Sequence, residues 1–370
     1  MEGDHIKIYD WLLPFSWLYG LGVRIRNLMF DCGMLKSKSY AVPVICVGNI
    51  TVGGTGKTPH TEYLIKLLHP TNQVAVLSRG YKRKTRGYLL AKNDTPMRDI
   101  GDEPYQMKHK FPFIHMAVDK NRRHGIEQLC KPDVKPETDV IILDDAYQHR
   151  YVMPGINILL MDYHRLIYYD KLLPAGRLRE PASEKNRADI VIITKCPQYI
   201  TPMDCRGIER SLDLGNWQKI FFTSFSYGEL YPLFGDKKRT KSISSLKGTE
   251  ILLLSGIASP EQLEYDLGKV ATFTSLHFND HHNFTQKDIE QIERKGKGKL
   301  IITTEKDATR LISMGKEAFS SDIADSIYVL PVEVTFMHDK QEDFNQIITS
   351  YVRKNSRNSI LFKAKNARKS

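Results

Sequence analysis

One glycine-rich segment constrains the fold of this chain more than any other feature. Residues 48–59 read GNITVGGTGKTP, between the apolar run 42–50 and a helix-like stretch. Glycines let backbone amides turn toward phosphate oxygens, the lysine reaches the outer phosphates, and the next hydroxyl can hold Mg²⁺. The segment predicts a nucleotide phosphate loop between a strand and a helix. Its expected nucleotide ligands are Gly53, Gly54, Thr55, Gly56, Lys57 and Thr58.

The loop departs from the strict pattern G-x-x-x-x-G-K-[ST] at one position. That pattern places a glycine at position 51, where this chain has Thr51. The half of the loop that surrounds the phosphates, from Gly53 to Thr58, keeps every residue type that the chemistry needs.

Short apolar runs recur along the chain, each followed by a loop and a helical stretch. The runs are continuous rather than alternating, which is typical of strands in a mostly parallel sheet covered on both faces. A chain of 370 residues usually forms more than one domain. We therefore expect an α/β fold in which a P-loop NTPase-like domain (residues 1–228) is joined by a β-rich linker to a smaller α/β domain (229–355), with a basic tail at 356–370.

Two carboxylates follow one of these buried runs. Val140–Leu143 is apolar and leads directly into Asp144 and Asp145. Ligands bind at the carboxyl ends of strands in open α/β sheets. A carboxylate there can hold Mg²⁺ directly or through water, together with the hydroxyl of Thr58.

The charge of the chain suits an anionic partner. The formal net charge is +11, and the charged fraction of 26% beside 41% hydrophobic residues is typical of a folded globular protein. Charge alone does not choose among nucleic acid, acidic lipid and a phosphorylated substrate. The basic tail is either a solvated end or a membrane-directed segment.

The stretch from about residue 10 to residue 30 is unusually apolar and aromatic. Pro14 suits the first turn of a helix, and the apolar positions then follow a helical period. Tryptophan, tyrosine and arginine beside an apolar stripe are typical of a helix lying in the headgroup layer of a membrane. A helix packed on the adjoining domain is the alternative. We expect no signal peptide, because the chain starts with acidic residues, and no spanning segment, because no apolar run approaches ~18 residues.

Seven motifs occur in the order found in tetraacyldisaccharide 4′-kinases, and the chain resembles that family from about residue 8 to about residue 350. Asp144-Asp145-Ala146-Tyr147-Gln148-His149 departs from the more usual Asp-Asp-Gly-Phe-Gln-His at two positions, without loss of a ligating group. The motifs are VGNITVGGTGKTP (47–59), SRGY (78–81), GDEP (101–104), DDAYQHR (144–150), LLPAGRLREP (172–181), DHHNF (280–284) and TTEKDATRL (303–311).

The resemblance implies an enzyme that uses ATP and Mg²⁺ to phosphorylate the 4′-hydroxyl of a tetraacylated glucosamine disaccharide 1-phosphate, giving lipid IVA. It also implies attachment to the cytoplasmic face of the inner membrane of a bacterium that makes lipopolysaccharide. We expect a monomer with no nucleic-acid partner.

The resemblance also implies roles for individual residues. Asp102 and His281 match a dyad in which histidine orients the aspartate that accepts the hydroxyl proton. Glu180 matches a further metal ligand, and Gln148 and His149 are expected near the nucleotide or the metal. The remaining candidates have two interpretations each. Arg177 and Arg179 are either phosphate ligands or surface residues, and Arg122 and Arg123 are either ligands of the lipid 1-phosphate or part of a solvated face. Lys306 and Asp307 are either hinge or structural residues. Arg79 and Tyr81 are expected at the same edge as substrate ligands.

Three other functions are compatible with parts of the sequence. A kinase of the same scaffold with another acceptor would share the phosphate loop but not the combined motifs. A GTP-using metallochaperone usually carries clustered cysteine and histidine or an N-K-x-D sequence, which are absent here. A nucleic-acid-binding ATPase fits the basic pI, but no recognition motif accompanies it.

Overall fold

The computed structural model describes residues 8–236, 238–257, 260–279 and 282–367, without the side chains of Glu261 and of 356–367. The helices are α1 Leu13–Asp31, α2 Lys57–Leu68, α3 Met97–Ile100, α4 Asp102–Lys110, α5 Arg122–Leu129, α6 Pro202–Leu212, α7 Glu261–Gly268, α8 Gln286–Gly296, α9 Glu305–Met314, α10 Ser321–Ser326 and α11 Gln341–Ala367. The strands are β1 Val44–Gly48, β2 Val74–Ser78, β3 Leu89–Leu90, β4 His115–Val118, β5 Val140–Asp144, β6 Ile156–Asp162, β7 Ile190–Thr194, β8 Lys219–Tyr227, β9 Tyr231–Pro232, β10 Glu250–Ser255, β11 Thr272–His277, β12 Leu300–Thr304, β13 Ile327–Leu330 and β14 Val332–Phe336.

The larger sheet has nine strands in the order β14-β8-β7-β6-β1-β5-β2-β4-β3. From β8 to β4 all neighbours are parallel, and β14 and β3 are antiparallel edge strands. Alternate residues of β1 pack into hydrophobic cores on opposite faces of the sheet, with Ile45 and Val47 on one face and Val44 and Cys46 on the other. Burial on both faces explains why the strands read as continuous apolar runs. The predicted mostly parallel α/β fold is confirmed.

The smaller sheet contains β11-β10-β12-β13-β9, with β9 as the antiparallel edge strand. Its core is formed by apolar residues of the strands together with α8, α9 and α10, such as Leu252, Ile292 and Leu311. The carboxyl ends of β10 and β12 point toward the larger domain, where α9 contacts α4.

The end of the chain returns to the larger domain, which corrects the predicted limits of the smaller one. Strand β14 pairs with β8, and Phe344 and Ile348 of α11 lie in the core of the nine-stranded sheet. The hydroxyl of Tyr351 donates to the carbonyl of Val44 at 3.2 Å and accepts from its amide at 3.1 Å. The smaller domain therefore ends near residue 331 rather than 355. The sequence does not predict this antiparallel pairing, because the paired residues of β14 and β8 are about a hundred positions apart.

Helix α1 is oriented with most of its apolar side chains outward, apart from Phe30 near its end. It is preceded by a 3₁₀ turn at Asp10–Leu12, and its buried residues include Ser16, Gly20 and Asn27. Trp17 is 72% exposed and Leu18 69% exposed. An ordinary surface helix buries its apolar face against the core, whereas α1 leaves that face exposed. In the part of the chain that the structure describes, no helix combines the length and hydropathy of a membrane span.

Candidate active site

The phosphate loop connects β1 to α2 at the carboxyl edge of the larger sheet. Gly56 has φ of +81° and Gly53 has φ of +121°, a region that side chains rarely occupy. A Cβ on Gly56 would also lie 2.7 Å from Cζ of Phe225. Helix α2 begins at Lys57, so its amino terminus faces the loop and favours an anion there.

Buried hydrogen bonds hold the loop from behind. The side-chain Nδ2 of Asn49 donates to Oγ1 of Thr55 at 2.9 Å, and the hydroxyl of Thr194 donates to the Thr55 carbonyl at 3.0 Å. The Thr55 side chain therefore points into the protein, and these two bonds fix both its side chain and its carbonyl. Thr51 forms an antiparallel bridge with Leu178. The backbone at Thr51 is thus extended, and glycine is not required at that position.

Asp144 is the last residue of β5 and is fully buried. Its Oδ2 accepts a hydrogen bond from the hydroxyl of Ser78 at 3.0 Å, and its Oδ1 is buried with no partner among the described residues. Burial, followed by the charges of Glu103 and Asp145, raises the pKa of Asp144 to about 7. A bound cation would lower that pKa and satisfy the orphaned oxygen.

Asp145 has φ of +46° and projects toward the phosphate loop. Its Oδ1 lies 3.6 Å from Nζ of Lys57, and its Oδ2 lies 3.5 Å from Nη1 of Arg179. Burial acts to raise the pKa of Asp145, but Lys57 and Arg179 outweigh it and hold that pKa below its usual value. Asp145 is therefore an ionised group beside the lysine that is expected to reach the outer phosphates.

These residues fit a magnesium ion. Mg²⁺ prefers oxygen ligands and usually takes one or two carboxylates together with phosphate oxygens and water. Asp144 and Asp145 offer such oxygens, and Asp145 lies beside Lys57, which precedes Thr58 at the start of α2. Within the described ranges no three His, Cys, Asp or Glu side chains form a cluster that could hold a metal. The protein thus offers a site that phosphate oxygens would complete.

Glu180 lies in the 172–181 loop, which runs beside the phosphate loop through the bond from the Arg179 amide to the Ile50 carbonyl at 2.7 Å. Its Oε2 pairs with Nη2 of Arg187 at 2.7 Å, and burial raises the pKa of Glu180. Gln148 donates to the carbonyl of Asn49 at 2.6 Å. Both side chains stand next to the loop and contribute to its shape.

His149 follows the acid pair in sequence and lies among arginines. Burial lowers the pKa of His149 to about 4, and the charges of Arg122, Arg26, Arg123 and Arg79 act in the same direction. Its Nε2 is buried and makes no hydrogen bond to any described residue. A neutral imidazole in a cationic pocket is suited to an anionic ligand.

The GDEP motif places a carboxylate at the start of a helix between the two domains. Asp102 is the first residue of α4, and its Oδ2 pairs with Nη2 of Arg310 at 2.7 Å. The charge of Glu103 acts on Asp144, so the motif lies beside the acid pair. His281, the expected partner of Asp102, lies outside the described residues. His282 pairs with Asp288 at 2.9 Å, where it supports the start of α8.

The four expected substrate ligands differ in accessibility. Arg79 and Tyr81, which follow β2, are exposed, and Arg123 is half-buried with its guanidinium over the ring of Tyr151. Arg122 is buried, and its guanidinium donates to the carbonyls of Asp119 and Asp144 at 2.6 and 3.2 Å. Arg122 therefore supports the end of β5 and does not face solvent.

The roles of several residues at the site could not be predicted from the sequence. Ser78 holds Asp144, Asn49 holds Thr55, and Arg310 reaches Asp102 across 208 positions. Ser78, Asn49 and Arg310 lie inside the recognised motifs, but only the three-dimensional contacts reveal what they hold.

Comparison with known proteins gives the family. A family model described as tetraacyldisaccharide-1-P 4′-kinase matches residues 8–353. The chain belongs to this family. A tetraacyldisaccharide 4′-kinase of Phocaeicola vulgatus is 57% identical over 368 residues, covering 97% of this chain and 99% of that protein. One of Bacteroides thetaiotaomicron is 53% identical over 384 residues, covering 100% of both. The family resemblance predicted from the motifs is confirmed.

The fold is also similar to a solved member of the family. The crystal structure of LpxK from Aquifex aeolicus in complex with ATP has a TM-score of 0.71 with this chain and is 29% identical in sequence. The match covers 93% of this chain and 99% of that one. Both domains are therefore included in the similarity.

Proposed function

We propose that this protein transfers the γ-phosphate of ATP to the 4′-hydroxyl of a tetraacyldisaccharide 1-phosphate, giving lipid IVA. The observation that carries the proposal is the convergence of three groups at one sheet edge, in a chain of this family. The phosphate loop (53–58) contacts the acid pair through Lys57 and Asp145, and Glu103, next to Asp102 in the GDEP motif, acts electrostatically on Asp144. Phosphoryl transfer needs positioning of the nucleotide, neutralisation of charge and a base near the acceptor.

The nucleotide would bind with its phosphates on the backbone amides of residues 53–58. Lys57 would exchange its contact with Asp145 for the outer phosphates, and Thr58, Asp144 and Asp145 would hold Mg²⁺, with Glu180 as the further ligand that the family pattern implies. The metal, when bound, neutralises charge that develops on the phosphate oxygens. Arg179, already within reach of Asp145, adds positive charge at the same place.

Asp102 is proposed as the base that accepts the proton of the sugar hydroxyl. Its position at the amino terminus of α4 stabilises the ionised carboxylate, and Glu103 beside it reaches toward the acid pair. His281 is proposed as its partner on the basis of the family pattern alone. Arg79, Tyr81 and Arg123 line the accessible side of this edge and are proposed to contact the acceptor.

Helix α1 is proposed to lie on the cytoplasmic face of the inner membrane. Its small and polar side is fixed to the protein: the hydroxyl of Ser16 donates to the Leu172 carbonyl at 3.0 Å, and that of Tyr19 donates to the Arg179 carbonyl at 2.7 Å. Its apolar side, including Trp17, Leu18 and Leu21, is left outward. Such a helix would carry the 172–181 loop to the lipid acceptor.

A lipid-dependent assay tests the proposal. The protein is mixed with ATP and Mg²⁺ in detergent micelles, and ADP release is measured with three acceptors: the tetraacyldisaccharide 1-phosphate, the same lipid already phosphorylated at the 4′ position, and a glucosamine monosaccharide. ADP release that depends on the first acceptor alone supports the proposal. Equal release with all three, or release independent of acceptor, would falsify it.

A further inference from the structure

Arg310, in the TTEKDATRL motif, lies between carboxylates of the two domains. It belongs to α9 of the smaller domain and is 2% exposed. Its Nη2 and Nε lie 2.7 and 3.0 Å from Oδ2 of Asp102 in the larger domain, and its Nη1 lies 3.2 Å from Oδ1 of Asp307. One guanidinium thus joins the start of α4 to the start of α9.

The guanidinium is itself held in place from behind. Asp307 is 1% exposed, and its Oδ2 accepts hydrogen bonds from the Gly256 amide at 2.8 Å and from Oγ1 of Thr304 at 2.8 Å. These partners follow β10 and end β12, so Asp307 is anchored to the carboxyl edge of the smaller sheet. Arg310 therefore meets Asp102 with little freedom of its own.

Arginine is suited to this position for geometric reasons. Its planar donors are fixed relative to one another and its charge persists when the side chain is buried. Here two donors converge on one oxygen of Asp102, which fixes the rotation of that carboxylate. A residue that accepts a proton must be oriented as well as ionised, and small displacements at such a group cost large factors in rate.

We propose that Arg310 is a positioning residue for Asp102, and that it makes the orientation of this base depend on docking of the smaller domain. The inference rests on the proposed function, in which Asp102 accepts the proton of the hydroxyl. In this arrangement Asp307 aligns Arg310, Arg310 aligns Asp102, and substrate is phosphorylated efficiently only while the two domains are in contact.

A second ion pair between the domains makes it possible to distinguish positioning of Asp102 from attachment of the two domains to each other. Lys110, at the end of α4, lies 2.6 Å from Oε1 of Glu305 in α9 and 2.6 Å from Oε2 of Glu62 in α2. It bridges the domains as Arg310 does, but without contact to Asp102 among its ion pairs. Lys110→Met is therefore the matched control for loss of an interdomain ion pair.

The test is a double-mutant cycle on kcat and KM in the micelle assay, with ATP, Mg²⁺ and the tetraacyldisaccharide 1-phosphate. Arg310→Met is expected to lower kcat on the order of 100-fold, with KM for ATP nearly unchanged. Asp102→Asn is expected to lower kcat at least as much. The double variant is expected to be no slower than Asp102→Asn alone, because Arg310 acts through Asp102.

Two milder variants keep the test decisive if Arg310→Met does not fold. Arg310→Lys keeps the positive charge but loses the paired guanidinium donors that contact Asp102, and Asp307→Asn weakens the contact that holds Arg310 in place. Each is expected to lower kcat by about 10-fold at unchanged KM for ATP, and each effect is expected to vanish in the Asp102→Asn background.

The outcomes are separable. Multiplicative losses in the double variant, or an equal loss of kcat in Lys110→Met, would overturn the positioning role while leaving the kinase assignment intact. Wild-type kcat in Asp102→Asn would overturn the assignment of the base, and the inference with it. Absence of transfer by the wild-type protein would overturn the proposed function itself.

Discussion

The ammonium of Lys57 lies 3.6 Å from a carboxylate oxygen of Asp145, so the phosphate-loop lysine is paired with one of the residues proposed to hold Mg²⁺. Arg179 approaches the other oxygen of Asp145 at 3.5 Å. The carboxylate thus neutralises two cations that a nucleotide would otherwise meet unpaired. Binding of ATP must exchange these pairs for contacts with phosphate and metal.

We expect Asp145→Asn to separate nucleotide binding from turnover. Without the carboxylate, Lys57 is available to phosphate and one negative charge is removed, so metal-free ATP should bind as tightly as to the wild type or more tightly. Turnover with Mg²⁺ should fall by on the order of 100-fold or more, because one of the proposed metal ligands is lost. Calorimetric titration of ATP in the presence of a chelator, with parallel kinetics, measures both. Asp133→Asn, at an exposed position, is the control; weaker metal-free binding in Asp145→Asn alone would contradict this explanation.

Asn49→Ala should raise KM for ATP. The buried amide of Asn49 holds Oγ1 of Thr55, and its removal leaves that hydroxyl without this donor and the loop less well fixed. A lost buried hydrogen bond costs about 1–2 kcal/mol, which corresponds to a rise of roughly 10-fold in KM. Initial rates at varied ATP give the value. Asn72→Ala, which removes an amide that caps the end of α2, should leave KM for ATP unchanged; an equal rise in both variants would argue against a specific role of Asn49.

Glu62→Gln should make stability less dependent on pH. Burial, followed by the charge of Glu305, raises the pKa of Glu62 to about 7 from an ordinary value of 4.5. The folded state therefore binds the carboxyl proton of Glu62 more tightly than the unfolded chain does. The stabilisation that this proton contributes is complete below about pH 4.5 and is lost as pH rises to about 7. The amide imitates the protonated form, so at pH 8 the variant should be more stable by on the order of 2 kcal/mol.

Thermal unfolding at pH 5 and pH 8 checks this expectation. The wild type should lose more stability than Glu62→Gln between the two values. Glu209→Gln, on the exposed face of α6, should behave as the wild type does. Parallel curves for all three proteins would show that Glu62 does not carry a raised pKa.

The double substitution Trp17→Ser with Leu18→Ser should weaken binding to membranes without changing the fold. Both side chains are largely exposed, so the free energy of unfolding in solution should stay within about 0.5 kcal/mol. Each side chain would contribute about 1–2 kcal/mol on insertion into the headgroup layer, so partition onto vesicles containing anionic lipid should fall at least ~10-fold. Co-sedimentation with vesicles measures the bound fraction. Trp217→Ser with Tyr199→Ser removes exposed aromatic residues elsewhere; the same loss there would indicate unspecific adhesion.

The sequence predicted those parts of the fold that depend on local pattern. Continuous apolar runs indicated a covered parallel sheet, and the segment 48–59 indicated a phosphate loop between β1 and α2. Asp144 could be located because it ends a buried strand. In each case a few neighbouring residues carry enough information to specify the local structure.

Features that depend on distant partners could not be predicted. The outward orientation of α1 depends on which side of the helix meets the 172–181 loop, and its apolar pattern alone allowed either orientation. The return of β14 to β8 depends on pairing between segments far apart in sequence. The contact of Arg310 with Asp102 requires the two domains to dock, so the sequence around Lys306 and Asp307 did not indicate a role for Arg310.

The central claim is tested most directly by the position of the phosphate in the product. The protein is incubated in micelles with ATP, Mg²⁺ and the tetraacyldisaccharide 1-phosphate, and the lipid is analysed by mass spectrometry and NMR, with Asp102→Asn and Asp99→Asn alongside. We predict one added phosphate, attached to the 4′ oxygen, formed by the wild type and Asp99→Asn and nearly absent with Asp102→Asn. Folded wild-type protein that binds ATP but leaves the lipid unchanged, or phosphorylates another hydroxyl, would contradict the account.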